Sequence, residues 1–178
     1  VLNGDIDLNA SRSLVSNWTP IGTSAHPFKG TFDGNGKTIS NFAPTTWNDG
    51  ATACNYPSLF GVLYGTCKDL TISAAKIEVQ QGSAGILAGY VGTENKPATV
   101  SNVTVQGTVN VAGEATKIGG VCGAAYDATF TGCKTDVTMN VANFEYFIYL
   151  SPFYISSTYP NILAIVLFCR VSDVFDLS

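Results

Sequence analysis

The chain repeats itself, and that repeat restricts its architecture more than any single motif does. Leu59-Phe60-Gly61 corresponds to Leu87-Ala88-Gly89 and to Val121-Cys122-Gly123. Each triplet is followed by a polar turn and a first extended stretch: Lys68–Ile72, Ser101–Val105 and Thr131–Thr135. A second extended stretch comes next, at Lys76–Val79, Gly107–Val111 and Asp136–Val141. Gly61 and Gly89 stand 28 residues apart and Gly89 and Gly123 stand 34 apart, while Leu70, Val103 and Cys133 follow one another at 33 and 30. Variable periods of this size mark stacked units, because one coil of short strands cannot bury its own inward residues. Stacking sets Phe60, Ala88 and Cys122 above one another. It places Leu59, Ile86, Leu87, Val103, Val121 and Cys133 inside, and leaves Thr71, Thr104 and Lys134 as a row outside. The expected fold is all-β, a parallel β-helix or solenoid. A β-sandwich has turns at similar spacing, but the glycine-anchored repetition favours the solenoid.

Composition agrees. Charged residues are only 12% of the 178 and glycines number 18, which disfavours helices rich in Glu, Lys and Arg. Val, Ile and Thr fill the extended stretches, as strands require. A net charge of −4 with no Lys/Arg cluster argues against a nucleic-acid partner. A single histidine, His26 between Ala25 and Pro27, leaves no His-based metal or triad pattern and reads as a turn residue. No cofactor and no metal site are expected.

Within Trp18–Phe42, Asp33-Gly34-Asn35-Gly36 calls for a sharp corner between two short strands. Asn35-Gly36-Lys37-Thr38 imitates the end of a phosphate-binding loop. That motif needs Gly at position 31, which is Thr, and a helix afterwards, where the chain continues Ile-Ser-Asn-Phe-Ala-Pro. Lys37 is therefore expected on the surface of a turn and not on a phosphate.

The whole segment, W-T-P-I-G-T-S-A-H-P-F-K-G-T-F-D-G-N-G-K-T-I-S-N-F, resembles the leading segment of GLUG-motif modules of large bacterial surface and secreted proteins. G-I-L-A-G at Gly85–Gly89 and G-G-V-C-G at Gly119–Gly123 fit the same pattern, so the resemblance covers about residues 18 to 141. It implies a β-solenoid accessory to adhesins and IgA-protease-like enzymes, extracellular or at the cell surface. It implies no particular activity.

Residues 1–143 are read as the solenoid, with Val1–Leu8 as a first strand carrying Ile6 and Leu8 on one face. Residues 144–178 form an atypical aromatic and apolar tail without glycine. Asn161–Cys169 is too short to span a bilayer, and the tail reads as a hydrophobic cap or a fragment end. Five cysteines stand at irregular spacing. Bridges Cys54–Cys67 and Cys122–Cys133 suit an exported protein, and buried free thiols are the alternative.

Function follows from what chemistry the chain carries. Its carboxylates, among them Asp33, Glu78 and Asp136, are scattered, and no pair recurs at coil spacing. The reading is a non-catalytic adhesion or binding module, or a spacer, with a glycan or a host or cell-surface protein as partner. The alternative is a glycan-cleaving β-helix enzyme, a polysaccharide lyase or glycoside hydrolase, whose carboxylates the fold gathers. For binding, the long Ala43–Pro57 loop brings Trp47, Asn48, Asp49 and Tyr56 within ten residues, an aromatic platform with polar neighbours.

Overall fold

A computed structural model describes residues 1–8, 18–44, 47–48, 53–141 and 170–171, with backbone alone at 47–48, 53–54, 113–116, 141 and 170–171. These residues form a parallel β-solenoid of about three turns. The strands are β1 (Ile6–Asp7), β2 (Thr31–Ser40), β3 (Trp47–Asn48), β4 (Ala53–Cys54), β5 (Phe60–Leu63), β6 (Thr66–Ala84), β7 (Ala88–Val91), β8 (Ala98–Ile118), β9 (Cys122–Ala125), β10 (Ala128–Thr131), β11 (Lys134–Val141) and β12 (Arg170–Val171). There is no helix among the described residues.

Two parallel sheets carry the stack. The smaller runs β5-β7-β9, with Phe60 paired to Ala88 and Ala88 to Cys122, as the repeat predicts. The larger runs β1-β2-β6-β8-β11-β12, and β10 also pairs with β8. Its register matches Leu70 to Val103, Thr71 to Thr104 and Thr104 to Lys134. Leu59, Phe60, Ile86, Leu87, Val103, Val121 and Cys133 are all buried. Inward and outward residues alternate along β6, where Ala75, Ile77 and Val79 are buried between exposed Lys76, Glu78 and Gln80.

The two extended stretches of each unit differ from expectation in one respect. In the first two units they are not separate strands, whereas in the third the chain breaks at Gly132–Cys133 between β10 and β11. β6 and β8 run 19 and 21 residues and turn corners without leaving the sheet. The first corner is taken by Asn35, Asp69 and Asn102, with φ of 51°, 53° and 53°. Asn and Asp tolerate the left-handed region because their short polar side chains bond locally. Here they also bond between coils, the Asn102 amide donating to Asp69 Oδ1 at 2.9 Å. Asn41 and Ala74, at φ 56° and 49°, take the second corner. The Asp33–Gly36 turn thus sits inside β2, where the register against β6 shifts between Asp33 and Lys37. Lys37, expected on a turn surface, is half-buried opposite Leu70, because the shift ends the corner one residue before it.

Close packing of coils explains the repeated glycine. A Cβ on Gly61 would run into the Gly22 carbonyl, while one on Gly89 would sit 2.9 Å from Gly61 O and one on Gly123 2.9 Å from Gly89 O. The triplet glycines thus form a column in which backbone replaces side chain.

Aromatic rings fill the first coil. Phe60 meets Phe28 at 5.2 Å and Phe32 edge-on at 5.5 Å, while Trp18 packs edge-on against Phe42 and donates its indole N–H to Leu59 O at 3.1 Å. At the outer side of β2, β1 pairs Ile6 with Ile39, and Asp5 and Asp7 accept bonds from Thr38 N and the Asn41 amide. These carboxylates blunt a sheet edge. Leu2 and Leu8 pack on the core, whereas Ile6, expected beside Leu8, stays exposed on this outermost strand.

Cys67, Cys122 and Cys133 are free and buried, so neither Cys54–Cys67 nor Cys122–Cys133 is bridged. Each occupies an inward position of a different column, where it serves as a small apolar residue. Burial pushes the thiols of Cys67 and Cys122 up to about 12. Since the thiolate is the reactive form, iodoacetamide at pH 8 is expected to leave Cys67, Cys122 and Cys133 unmodified in the native protein and to label all three in urea. Peptide mass mapping checks this, and native labelling of Cys122 at the unfolded rate would contradict the packing.

The tail reading lies outside the described residues except at β12, whose Arg170–Val171 pairs parallel to Thr138–Met139 of β11.

Candidate binding surface

The Ala43–Pro57 segment is not a plain loop. β3 and β4 make an antiparallel hairpin in which Trp47 pairs with Cys54 and Asn48 with Ala53. The hairpin therefore holds the backbones of Trp47 and Asn48 in one short ribbon; Asp49 lies outside the described residues. Tyr56, past the hairpin, is half-buried and accepts a bond from Ser24 Oγ at 3.4 Å. Asn55 anchors the segment's end: its carbonyl accepts from Ser83 N at 3.0 Å and its side-chain oxygen from the Gln81 amide at 2.8 Å.

The outward faces of the larger sheet carry polar residues in register. Thr31, Thr66, Thr99 and Thr129 form one column across four levels. Thr38, Thr71, Thr104 and Lys134 form another. Glu78, Asn110 and Asn140 form a third, bonded from level to level: Asn110 donates to Glu78 Oε1 at 2.6 Å and Asn140 to Asn110 Oδ1 at 2.8 Å. Amides suit such a column because each carries both donor and acceptor.

Two carboxylates that the sequence scatters are brought together. Lys68 Nζ lies 2.7 Å from Asp33 Oδ2 and 3.4 Å from Asp69 Oδ2. Register and corner cause this: Asp33 is the partner of Lys68 on the neighbouring strand, and Asp69 turns the corner beside it. The Lys68 ammonium, helped by the Asn35 backbone N–H, holds the Asp33 carboxyl below its ordinary value, and Asp33 in turn raises Lys68. A depressed carboxyl stabilises the fold above its ordinary pKa of 3.8, an increment lost as pH falls through the lowered value. The raised Lys68 holds its increment at neutral pH and loses it only as pH rises through its elevated value. Asp33→Asn is therefore expected to flatten the acid-side fall of the thermal midpoint while leaving its shape between pH 6 and pH 8 unchanged. Scans at constant ionic strength check this, the effect being small because the pair is exposed.

His26 occupies the turn expected of it, exposed, with Thr23 N donating to its carbonyl at 3.0 Å and its own N–H donating to Thr23 Oγ1 at 3.1 Å. Among the described residues no group of His, Cys, Asp and Glu is placed to hold a metal ion.

A row of rings that the sequence does not reveal, beyond Tyr56 itself, runs beside the smaller sheet, with Tyr90 in β7 and Tyr126 just past β9. Tyr56, Tyr90 and Tyr126 form a row, with Tyr56 edge-on to Tyr90 at 5.3 Å and Tyr90 parallel to Tyr126 at 6.1 Å and 4°. Lys117 Nζ stands 5.2 Å and 5.3 Å from the two parallel rings and donates to the Tyr126 hydroxyl at 2.6 Å. Burial pulls the Lys117 ammonium down, but the Tyr126 hydroxyl and Tyr90 outweigh it and leave its pKa raised.

No family model matches the chain. Halomucin of Haloquadratum walsbyi is 37% identical over 125 residues, which is 67% of this chain and 1% of that protein. A solved structure, of a protein assigned as an immunoglobulin A1 protease from Bacteroides ovatus, superposes with a TM-score of 0.54 at 24% identity, over 79% of this chain and 40% of that one. At that identity the likeness concerns the fold, a β-solenoid. The chain spans a small part of the curated relative and under half of the solved chain.

Proposed function

We propose that the chain is a non-catalytic binding or spacer module of a larger secreted or cell-surface protein, of the GLUG type, with residues 1–143 as the module and 144–178 as a separate tail. One observation carries it: polar residues of the outer face stand in register from coil to coil, most regularly in the threonine column Thr31–Thr66–Thr99–Thr129. Such a face offers shallow contacts, each weak alone, that sum when many copies act together. The similarity to Halomucin and the solenoid shared with the Bacteroides protein are consistent with a surface module. Its partner is proposed to be a glycan or a host or cell-surface protein, and Trp47, Asn48, Asp49 and Tyr56 its contact residues.

A glycan-cleaving activity is the second reading, favoured by the approach of Asp33 and Asp69 to one lysine. The electrostatics weigh against it. A general acid needs a raised carboxyl pKa and a lysine base a lowered one, and here Asp33 is lowered and Lys68 raised.

A glycan and extracellular-matrix array probed with the 178-residue chain tests the proposal, followed by a turnover assay on whatever binds. Retention without turnover is expected. Trp47→Ala should weaken retention about tenfold or more, as loss of an aromatic anchor does. Unchanged affinity removes the hairpin from the site, and measurable turnover that Asp33→Asn abolishes establishes the enzymatic reading instead.

A further inference from the structure

The tyrosine row is built from three coils and is not explained by core packing. Its rings are half-buried and stand outside the hydrophobic cluster that fills the solenoid. Each coil contributes one ring, and each ring is held. Tyr56 is fixed against Tyr90 and by Ser24, and Tyr126 by its contact with Tyr90 and by Lys117. Fixed aromatic rings lower the ordering cost of binding. Each phenol also joins an apolar body to a hydroxyl that both donates and accepts.

We propose that Tyr56, Tyr90 and Tyr126 form a saccharide-binding strip along which a polysaccharide chain lies across successive coils. A sugar ring presents an axial C–H face that packs on the negative face of an aromatic ring, and equatorial hydroxyls that bond to phenols and to Lys117. The repeating partner follows from a repeating strip. A peptide in strand form fits less well, since it needs an unpaired sheet edge. β7, which carries Tyr90, already pairs with β5 on one side and β9 on the other. The strip rests on the binding-module reading and extends it from Tyr56 onto the coils.

The test is depletion of the 178-residue chain from solution by cellulose, chitin, mannan and cross-linked pectin, beside the array's matrix proteins. Wild type should be retained by at least one polysaccharide. Tyr56→Ala and Tyr126→Ala should each weaken that retention about tenfold or more, with smaller losses for Tyr126→Phe, which keeps the ring. Thermal midpoints of the variants identify any that unfold, and for those a second measurement on wild type decides: soluble oligosaccharides cut from the polysaccharide that retains the chain should perturb tyrosine absorbance. Retention by a polysaccharide that is indifferent to the folded tyrosine variants, or that leaves tyrosine absorbance unmoved, overturns the strip and leaves the binding module standing. Retention by matrix proteins alone does the same. No retention by any probe overturns both.

Discussion

Gly85→Ala is expected to destabilise the solenoid by about 3 kcal/mol or more, a severe case of overpacking. The added Cβ would lie 2.5 Å from both Cys122 N and Val121 O, and closer still to Cys122 Cα. All three are backbone, so no side chain can swing away to make room. Relief requires parting two coils, which breaks the bonds from Ile86 N to Gly120 O and from Leu87 N to Val121 O. It also disturbs the bond that Gly85 N donates to the buried Ser58 hydroxyl at 3.3 Å. Gly4→Ala is the internal control, because nothing lies within 4 Å of a Cβ there. Urea unfolding followed by circular dichroism measures both. A Gly85→Ala midpoint equal to that of Gly4→Ala would show that the coils are not packed this closely.

Phe60→Ala should cost about 3–5 kcal/mol, the range for truncating a buried aromatic ring. Phe60 is fully buried and sits between Phe28 and Phe32, so its loss leaves two rings facing a void. In a domain at the low end of the usual range, about 5 kcal/mol in total, such a loss leaves the chain close to unfolded. Phe60→Leu retains most of the volume and should lose about half as much, since the ring contacts vanish while the cavity stays small. If alanine and leucine cost the same, edge-on ring packing and not volume governs the site. A loss under about 1 kcal/mol for alanine would place Phe60 outside the core.

The two substitutions probe different sources of stability in one coil. Gly85 reports how close the backbones approach, and Phe60 reports how completely the space between the sheets is filled. Both residues belong to the repeated unit or flank it, which is why the sequence exposes them. The Asp33–Lys68–Asp69 cluster and the tyrosine row depend instead on which residues of different coils become neighbours. Their substitutions should change charge or binding more than stability.

The repeat by itself determined the stack. Phe60, Ala88 and Cys122 fall into one column, and Leu70, Val103 and Cys133 into another, because identical units are translated by one strand spacing and keep equivalent residues in register. The interior could be read for the same reason, since inward positions recur with the period. Tertiary structure decided what happens at the corners and between them. Whether Asn35, Asp69 and Asn102 turn left-handed inside a continuous strand depends on the adjacent coil's bonds, such as Asn102 to Asp69. In β2 that corner shifts the register against β6 by two residues, and in β6 it sets the Asp69 carboxylate beside the Lys68 that pairs with Asp33. The tyrosine row was hidden for a related reason. Tyr56 lies four residues before Phe60, Tyr90 two after Ala88, and Tyr126 four after Cys122. Aligning the repeats therefore never superposes the three rings. They converge only because side chains that start at different offsets reach across the gaps between coils, and such reach leaves no period in the sequence.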